Sequence, residues 1–229
     1  MPPEKATFSD LATATYCPRQ LYYDRREDDR EPPPEATARI DLAFRYPELR
    51  DMDDAELAAE PIDPPPAAYR AALERLADRP DWNALVDPAR TRVLLEGKDA
   101  RGVAHKVLGS TAEDAVGDPP TPVIVSPGDP PERGVWEPQS VRAVAAMHAL
   151  SWEEERRIRR ALVEYPAHGV VREVRLSVRR SGAYRRVLRS IRDMAGPPSR
   201  LSGSPKCDSC RHRTNCGVNT RSLRSLIGL

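Results

Sequence analysis

Four cysteines are the residues of this sequence whose spacing most clearly predicts chemistry. Three of them, Cys207, Cys210 and Cys216, lie in the stretch KCDSCRHRTNC, while Cys17 stands 190 positions before the first of these, in YCPRQLYY. A CxxC pair followed by five residues and a third cysteine lets a short loop bring three thiolates to one metal centre. Three thiolates are one short of a complete shell. Cys17 supplies the fourth if the first helices pack against the cysteine loop.

The spacing alone does not choose the metal, because four thiolates suit a zinc ion as well as an iron-sulfur cluster, and His212 offers an alternative zinc ligand. The first residues, MPPEKATFSD, lack a basic start followed by an apolar run, and no stretch approaches the roughly 20 apolar residues that span a bilayer. We therefore expect a soluble, cytoplasmic protein without a membrane partner. In that compartment metal or redox chemistry explains four thiols better than disulfides do.

A net charge of +1 hides a strong asymmetry along the chain. Residues 151–229 carry 18 Lys and Arg against 7 Asp and Glu, whereas residues 1–150 carry 18 against 28. The basic stretch VREVRLSVRRSGAYRRVLRSIR could present positive potential to a phosphate backbone. The alternative is that these arginines solvate a strand and a helix, or balance the acidic part of the chain.

The elements that must position these residues include both helices and strands. Ser9 is predicted to cap a first helix and Pro18 to begin a second, with Cys17 at the junction. EPPPEA and EPIDPPPAA bound an acidic, alanine-rich segment, so residues 31–66 are interpreted as an insertion or helical cap. TRVLLEG, GVAHKVL and TPVIVSP are typical of neighbouring strands. PQSVRAVAAMHAL and WEEERRIRRALVEY are predicted to be helices, and GVVREVRLSVRRSGAYRRVLRSIRDM a strand, a turn and a helix. This pattern predicts a single α/β domain over residues 1–229.

The two ends of the chain resemble a known family. FSDLATATYCPRQLYYDRR and PSRLSGSPKCDSCRHRTNCG are similar to the ends of the CRISPR-associated RecB-like exonucleases, the Cas-four type, whose relatives include Dna-two-type and AddB-type nuclease domains. The resemblance implies a PD-(D/E)xK, restriction-endonuclease-like core, a mixed sheet flanked by helices, closed by a [4Fe-4S] cluster that joins the N- and C-terminal segments. It implies Cys17 and the three cysteines of segment 204–218 as the cluster ligands, with zinc as the alternative. The likeness is weaker over residues 90–150 and hardly extends to residues 36–79.

The residues that cut DNA in that family are replaced here. The family holds Mg2+ or Mn2+ with an Asp on one strand and the Glu of an ExK motif on the next, because hard cations prefer oxygen ligands. RGVAHKVLG places His105 where the Asp is expected, and TPVIVSPGDPP places Ser126 and Gly128 at the Glu and the Lys. The family's helix motif keeps its Gln as Gln139, while EATARIDLAFRYPELRDM lacks the metal-binding histidine. We therefore expect the cleavage centre to be lost or weak.

The resemblance implies a protein of DNA processing, in CRISPR adaptation or DNA repair, that binds DNA or a DNA-processing partner. The DNA would be single-stranded or frayed at its ends, and CRISPR integration proteins are the partners that the family suggests. Tyr22, Tyr23 and Trp136 are possible stacking surfaces for bases, with core packing as the alternative. The candidate nucleic-acid contacts are Arg172, Arg175, Arg179, Arg180, Arg185 and Arg186.

Two alternatives stay open at this point. The first is an active single-strand exonuclease that uses Mg2+ or Mn2+ held by carboxylates at new positions, such as Asp129, Glu132 or Glu96. The second is a cluster-bearing scaffold or redox module that binds no DNA.

Overall fold

The computed structural model describes residues 5–27, 32–109, 119–201, 204–208 and 210–216. Within these ranges the chain is an α/β protein with one mixed sheet flanked by helices. The strands are β1 (Ala6–Thr7), β2 (Arg90–Glu96), β3 (Ala100–Leu108), β4 (Thr121–Val125), β5 (Arg160–Tyr165) and β6 (Val170–Arg175). The α-helices are α1 (Phe8–Tyr16), α2 (Pro18–Asp24), α3 (Pro34–Asp41), α4 (Tyr46–Asp51), α5 (Asp54–Ala59), α6 (Pro66–Ala77), α7 (Trp82–Val86), α8 (Glu137–Glu153) and α9 (Val178–Arg192). Short 3-10 turns cover Leu42–Phe44, Pro166–His168 and Pro205–Cys207.

The described strands follow the order β1-β3-β4-β5-β6, and β2 pairs with β3. The pairs β1–β3 and β4–β5 are parallel, while β2–β3, β3–β4 and β5–β6 are antiparallel. A parallel pair needs a crossover connection, which α8 provides between β4 and β5. Residues 126–136 join the end of β4 to the start of α8.

One face of the sheet is covered by α1, α8 and α9. Their apolar side chains form a continuous core with Leu95, Ala104, Ile124 and Val163 of the strands. The first helix packs so closely on β3 that a Cβ at Gly102 would collide with the ring of Phe8. This contact fixes α1, and with it the chain that leads to the first cysteine, against the sheet.

The opposite face is covered by α4 to α7 and the turn before α4. Tyr46, Leu49, Leu57 and Leu73 pack there with strand residues such as Val125. Capping supports these short helices: the Asp53 carboxylate accepts hydrogen bonds from the Ala55 and Glu56 amides, and the Asp53 amide donates to the Glu56 carboxylate. The described part of the 31–66 segment, residues 32–66, thus forms helices that bury their own apolar face; residue 31 lies outside the described residues.

Two local predictions are wrong. The first helix is capped by Thr7, whose hydroxyl accepts from the Asp10 amide at 2.9 Å, so Ser9 lies inside the helix. WEEERRIRRALVEY is not one helix: α8 ends at Glu153, and Arg160–Tyr165 is strand β5. Five consecutive residues of β5 are buried because both sheet faces are covered, which removes the alternating pattern of a half-exposed strand.

Candidate metal centre and nucleic-acid surface

The first cysteine lies at a break between two helices. The backbone of Cys17 is extended, with φ −158° and ψ 110°; its amide still donates to the Thr13 carbonyl at 2.8 Å, which ends α1. Pro18 begins α2, where its missing N–H costs nothing. The break leaves Cys17 between two anchored helices and not within a helical face.

Tight turns gather the other three cysteines. The Cys210 amide donates to the Cys207 carbonyl at 3.4 Å, and the Cys216 amide to the His212 carbonyl at 2.8 Å. All four cysteines line one small cavity, although Cys17 comes from the opposite end of the described chain. Tyr16, Arg19, Tyr23, Leu201, Lys206 and His212 also contribute to its wall. Residues 209, 217 and 218 of the predicted cysteine segment lie outside the described residues.

The four cysteines offer one set of thiol donors at this cavity. All four thiols are free of disulfides. A tetrahedral zinc with Zn–S bonds of about 2.3 Å would hold its sulfurs only about 4 Å apart. Among the described residues, the two groups of three or more ligand atoms that lie within 4.8 Å of one another contain no cysteine. A cubane cluster needs a wider spacing of its ligands than zinc does, because each thiolate binds a different iron.

Cations surround the sulfur cavity. Arg19, Arg200, Lys206 and Arg213 all line it. The Lys206 ammonium is held over the ring of Tyr16, 4.5 Å from the centroid, and donates to the Tyr16 carbonyl at 3.3 Å. These cations lie where a metal centre with four thiolate ligands would place negative charge.

A polar junction also connects α2 with the cysteine loop. Asp24 of α2 accepts from the Arg211 guanidinium at 2.6 Å and lies 2.5 Å from Nε2 of His212. The hydrogen bond to Asp24 raises the pKa of Arg211. Arg19 is almost fully buried and donates to the carbonyls of Pro198 at 2.7 Å and Cys216 at 2.9 Å. These contacts hold α2 against the cysteine loop, and His212 is engaged by the carboxylates of Asp24 and Glu27.

The residues at the family's nuclease positions do not form a carboxylate site. His105 accepts from the Val125 amide through Nδ1 at 3.1 Å. Burial, followed by the positive charges of Arg142, Arg92 and Lys106, lowers its pKa to about 3. The residue is neutral at pH 7, with its ring proton on Nε2.

Ser126 and Gln139 meet at the start of α8. Ser126 is buried, and its hydroxyl accepts from Nε2 of Gln139 at 3.3 Å. Gly128 lies farther along the same loop, where an added Cβ would meet open space. The structure thus joins Ser126 to Gln139, while Gly128 contributes no side chain to that contact.

The three carboxylates considered as migrated metal ligands are dispersed. Glu96 pairs with Lys5 at 3.3 Å, at the end of β2 remote from the start of α8. Glu132 is exposed, and its carbonyl accepts weakly from Arg172 at 3.4 Å. Asp129 lies 3.1 Å from Nε2 of His168.

Asp129 belongs to a group that the sequence did not predict. Nε2 of His168 lies 2.9 Å from a carboxylate oxygen of Asp63, and the three residues place one nitrogen and two oxygens within 4.8 Å of each other. Such donors can bind a divalent metal. Arg39 already donates to both oxygens of Asp63, at 2.7 and 2.8 Å, so the group is also a complete ion-pair network.

The six arginines proposed to contact nucleic acid lie on two elements, β6 and α9. Arg175 is paired with Glu173, and Arg172 donates to the loop before α8. The other four lie on α9, which also carries Arg189 and Arg192. Within the described part of the chain, Arg192 alone of these six helix arginines has a carboxylate partner, Asp99 at 2.8 Å. Arginines one turn apart on α9 repel each other, and a bound anion would reduce this repulsion.

A groove of ≈ 470 Å³ runs beside α9, between α8 and the β2–β3 turn. Its wall includes the ring pair of His148 and Tyr184, whose centroids lie 5.3 Å apart, and the cations Lys98 and Arg185. Trp152, 59% exposed, stands at its edge. Burial and Arg185 lower the pKa of His148, which leaves a neutral ring in the groove.

The aromatic residues suggested from the sequence have other contacts. The rings of Tyr22 and Tyr23 meet edge to face at 5.4 Å, and Tyr23 also packs on His212. Trp136 is 53% exposed and donates to the Asp129 carbonyl at 2.8 Å. Trp152 was missed in the sequence, where it was included only as the first residue of a predicted helix, WEEERRIRRALVEY.

Within the described ranges, no helix is both long and apolar enough to cross a membrane. Comparison with protein-family models gives no match, and neither does a search of curated proteins.

Proposed function

We propose that this chain is an iron-sulfur protein of the RecB-like, Cas-four type that binds single-stranded or frayed DNA and has lost, or nearly lost, nuclease activity. The proposal includes a PD-(D/E)xK core and a [4Fe-4S] cluster held by Cys17, Cys207, Cys210 and Cys216. It is supported by the meeting of all four cysteines at one cavity. When bound, the cluster would supply iron-thiolate bonds that cross-link the two ends of the chain.

The observation that carries DNA binding is the charge of α9. Five arginines of this helix have no carboxylate partner among the described residues, and one of them, Arg185, lines a groove with an exposed tryptophan at its edge. A phosphate backbone would neutralise the helix, while bases could stack on Trp152 or on His148. Arg185 lines the same groove as His148 and Trp152.

Loss of cleavage is supported by the charges around His105. Each of the three charged residues that act on its ring is a cation, whereas a hard divalent metal requires oxygen donors. Ser126 and Gln139 offer neutral oxygens, and their contact with each other engages one of them. These side chains bind a proton donor or an anion more readily than Mg2+.

Fluorescence anisotropy with a labelled single strand tests the binding. We expect affinity to fall roughly 20-fold for three phosphate contacts between about 50 and 200 mM salt. The double variant Arg185→Ala with Arg189→Ala should bind at least about tenfold more weakly. The matched control, Arg50→Ala with Arg75→Ala, removes the same charge from helices on the opposite face of the sheet and should bind like wild type.

Stacking is tested by tryptophan fluorescence. Single-stranded DNA should quench the emission of wild type and of Trp136→Phe, but much less that of Trp152→Phe. Absence of binding at low salt would contradict the proposal and favour a cluster-bearing scaffold or redox module. Equal losses in the α9 variant and its control would contradict the assignment of the surface. If DNA binding holds, CRISPR integration proteins and DNA-repair proteins are the partners to test.

A second candidate function, a working single-strand exonuclease, is favoured by the donors of Asp63, Asp129 and His168. It predicts Mn2+- or Mg2+-dependent loss of a labelled strand that Asp129→Ala abolishes and Glu132→Ala does not. A strand that stays intact at saturating Mn2+ would remove this candidate.

A further inference from the structure

Arg142, in the second turn of α8, is a cation without a partner. Its Nε is completely buried, and none of its nitrogens makes a hydrogen bond or an ion pair within the described part of the chain. Arg19 and Arg39 also have a buried Nε without a partner, but their terminal nitrogens are hydrogen-bonded. Burial lowers the pKa of Arg142 to about 10, and no carboxylate opposes this effect. The side chain of Arg142 is only partly exposed, and a positive charge held there without a counter-ion is unfavourable.

The surroundings of Arg142 are positive or neutral. Its charge acts on His105, together with the charges of Arg92 and Lys106. Because Nδ1 of His105 accepts the Val125 amide, its proton is on Nε2, and this N–H has no partner among the described residues. Among the described residues no carboxylate acts on the His105 ring or on Arg142, so the region combines a guanidinium with a neutral N–H donor.

Gln139 lies one turn before Arg142 on the same helix, and only the nitrogen of its side-chain amide has a hydrogen-bond partner among the described residues. Its Nε2 faces the Ser126 hydroxyl at 3.3 Å, and its Oε1 is buried without a partner. Rotating the amide by half a turn would let Ser126 donate to the oxygen. The NH2 group would then occupy the position that has no partner, and it would donate to an anion there.

From these features we infer that the region of His105, Ser126, Gln139 and Arg142 is a binding site for a phosphate group that needs no metal. A guanidinium offers parallel N–H donors that match two phosphate oxygens, and the neutral donors add hydrogen bonds without adding charge. The phosphate would supply the counter-ion that Arg142 lacks. The inference goes beyond DNA binding on α9, and it can hold or fail independently of it.

Thermal unfolding in inorganic phosphate, with EDTA present, tests the site. At about 100 times the Kd, phosphate should raise the Tm of the wild type by about 5–10 °C relative to chloride of equal ionic strength. Arg142→Met should be as stable as wild type or more stable in chloride, because it removes a partly buried charge that has no counter-ion among the described residues, and should lose the rise in phosphate. Arg172→Met, which removes a different partly buried arginine, should keep the rise.

The Tm of Arg142→Met in chloride and its change in phosphate together distinguish a binding site from a structural role. If Arg142 served only to hold the fold, its methionine variant would unfold at a lower temperature and would still respond to phosphate. That result, or a wild type that does not respond, would overturn the inference. Should Arg142→Met fail to fold, line broadening of the phosphate 31P signal by wild type, reduced in Gln139→Leu, gives the same test.

Oligonucleotides distinguish the source of the phosphate. Tighter binding of a 5′-phosphorylated strand than of its unphosphorylated form, lost in Arg142→Met, would identify a terminal phosphate. Equal binding of the two strands, with both displaced by inorganic phosphate, would identify a backbone phosphodiester. A phosphate response without DNA binding would support the site and contradict the proposed function.

Discussion

Replacing Lys106 with methionine should reveal how the helical cap is attached to the sheet. Lys106 is completely buried on β3, and its ammonium donates to the carbonyls of Ala43 at 2.6 Å and Leu85 at 2.8 Å, and to the Glu164 carboxylate at 3.2 Å. Glu164 also accepts the Tyr46 hydroxyl at 2.8 Å. One buried ion pair therefore connects two strands with the residues before α4 and the end of α7.

The expected loss of stability follows from the buried groups that Lys106→Met leaves without a partner. Lys106→Met removes one charge of a buried pair and leaves two carbonyls without a donor, which together should cost about 3–5 kcal/mol. Burial raises the pKa of Glu164, so protonation of its carboxylate limits the loss. For a chain of 229 residues this corresponds to a Tm lower by roughly 6–20 °C.

Denaturant unfolding of a double-mutant cycle measures the coupling. Lys106→Met combined with Glu164→Leu should cost clearly less than the sum of the two single changes. The control Lys5→Met breaks an exposed pair with Glu96 and should cost less than about 1 kcal/mol. A Lys106→Met loss as small as that of the control, or additive single changes, would refute the buried-pair account.

Three further predictions concern the site. Cys17→Ser should lower the iron content of anaerobically purified protein to less than half of the wild-type value; unchanged iron would exclude Cys17 as a ligand. His105→Asn should make stability depend less on pH in acid. His105 has a pKa of about 3 in the folded protein and about 6.5 in the unfolded chain, so between these values only the unfolded chain binds the proton. The wild type therefore loses up to about 1.4 kcal/mol of stability per pH unit as the pH falls through this range. Parallel stability curves would contradict this. Asp24→Asn should make the metal-free protein more sensitive to limited proteolysis near Arg211, whereas Asp208→Asn, in an exposed pair, should not.

The sequence predicted correctly the strands and helices that have a clear local pattern of apolar and polar residues. TRVLLEG, GVAHKVL and TPVIVSP correspond to β2, β3 and β4, and the strand, turn and helix after Gly169 are present as β6 and α9. In β5 the pattern fails, because ERRIRR precedes a strand buried on both faces, and a short apolar run after a charged run fits a helix equally well.

The polar features depend on contacts that no local pattern encodes. Nothing near Lys106 or Glu164 in the sequence indicates that they are buried, because each is balanced by a residue 58 positions away. The same applies to Arg142, which looks like an ordinary charged helix residue in SVRAV until the strands beneath it are placed. Spacing within KCDSCRHRTNC suggested that a fourth ligand was missing, but the cavity shared with Cys17 required the fold.

Anaerobic purification, followed by a visible absorption spectrum, iron and zinc analysis and a single-strand assay on the same sample, tests the central proposal most directly. The proposal predicts a brown, iron-loaded protein that binds the labelled strand and leaves it intact when Mn2+ is added. A colourless, zinc-loaded protein would contradict the cluster, and rapid Mn2+-dependent cleavage by an iron-loaded protein would contradict the loss of nuclease chemistry.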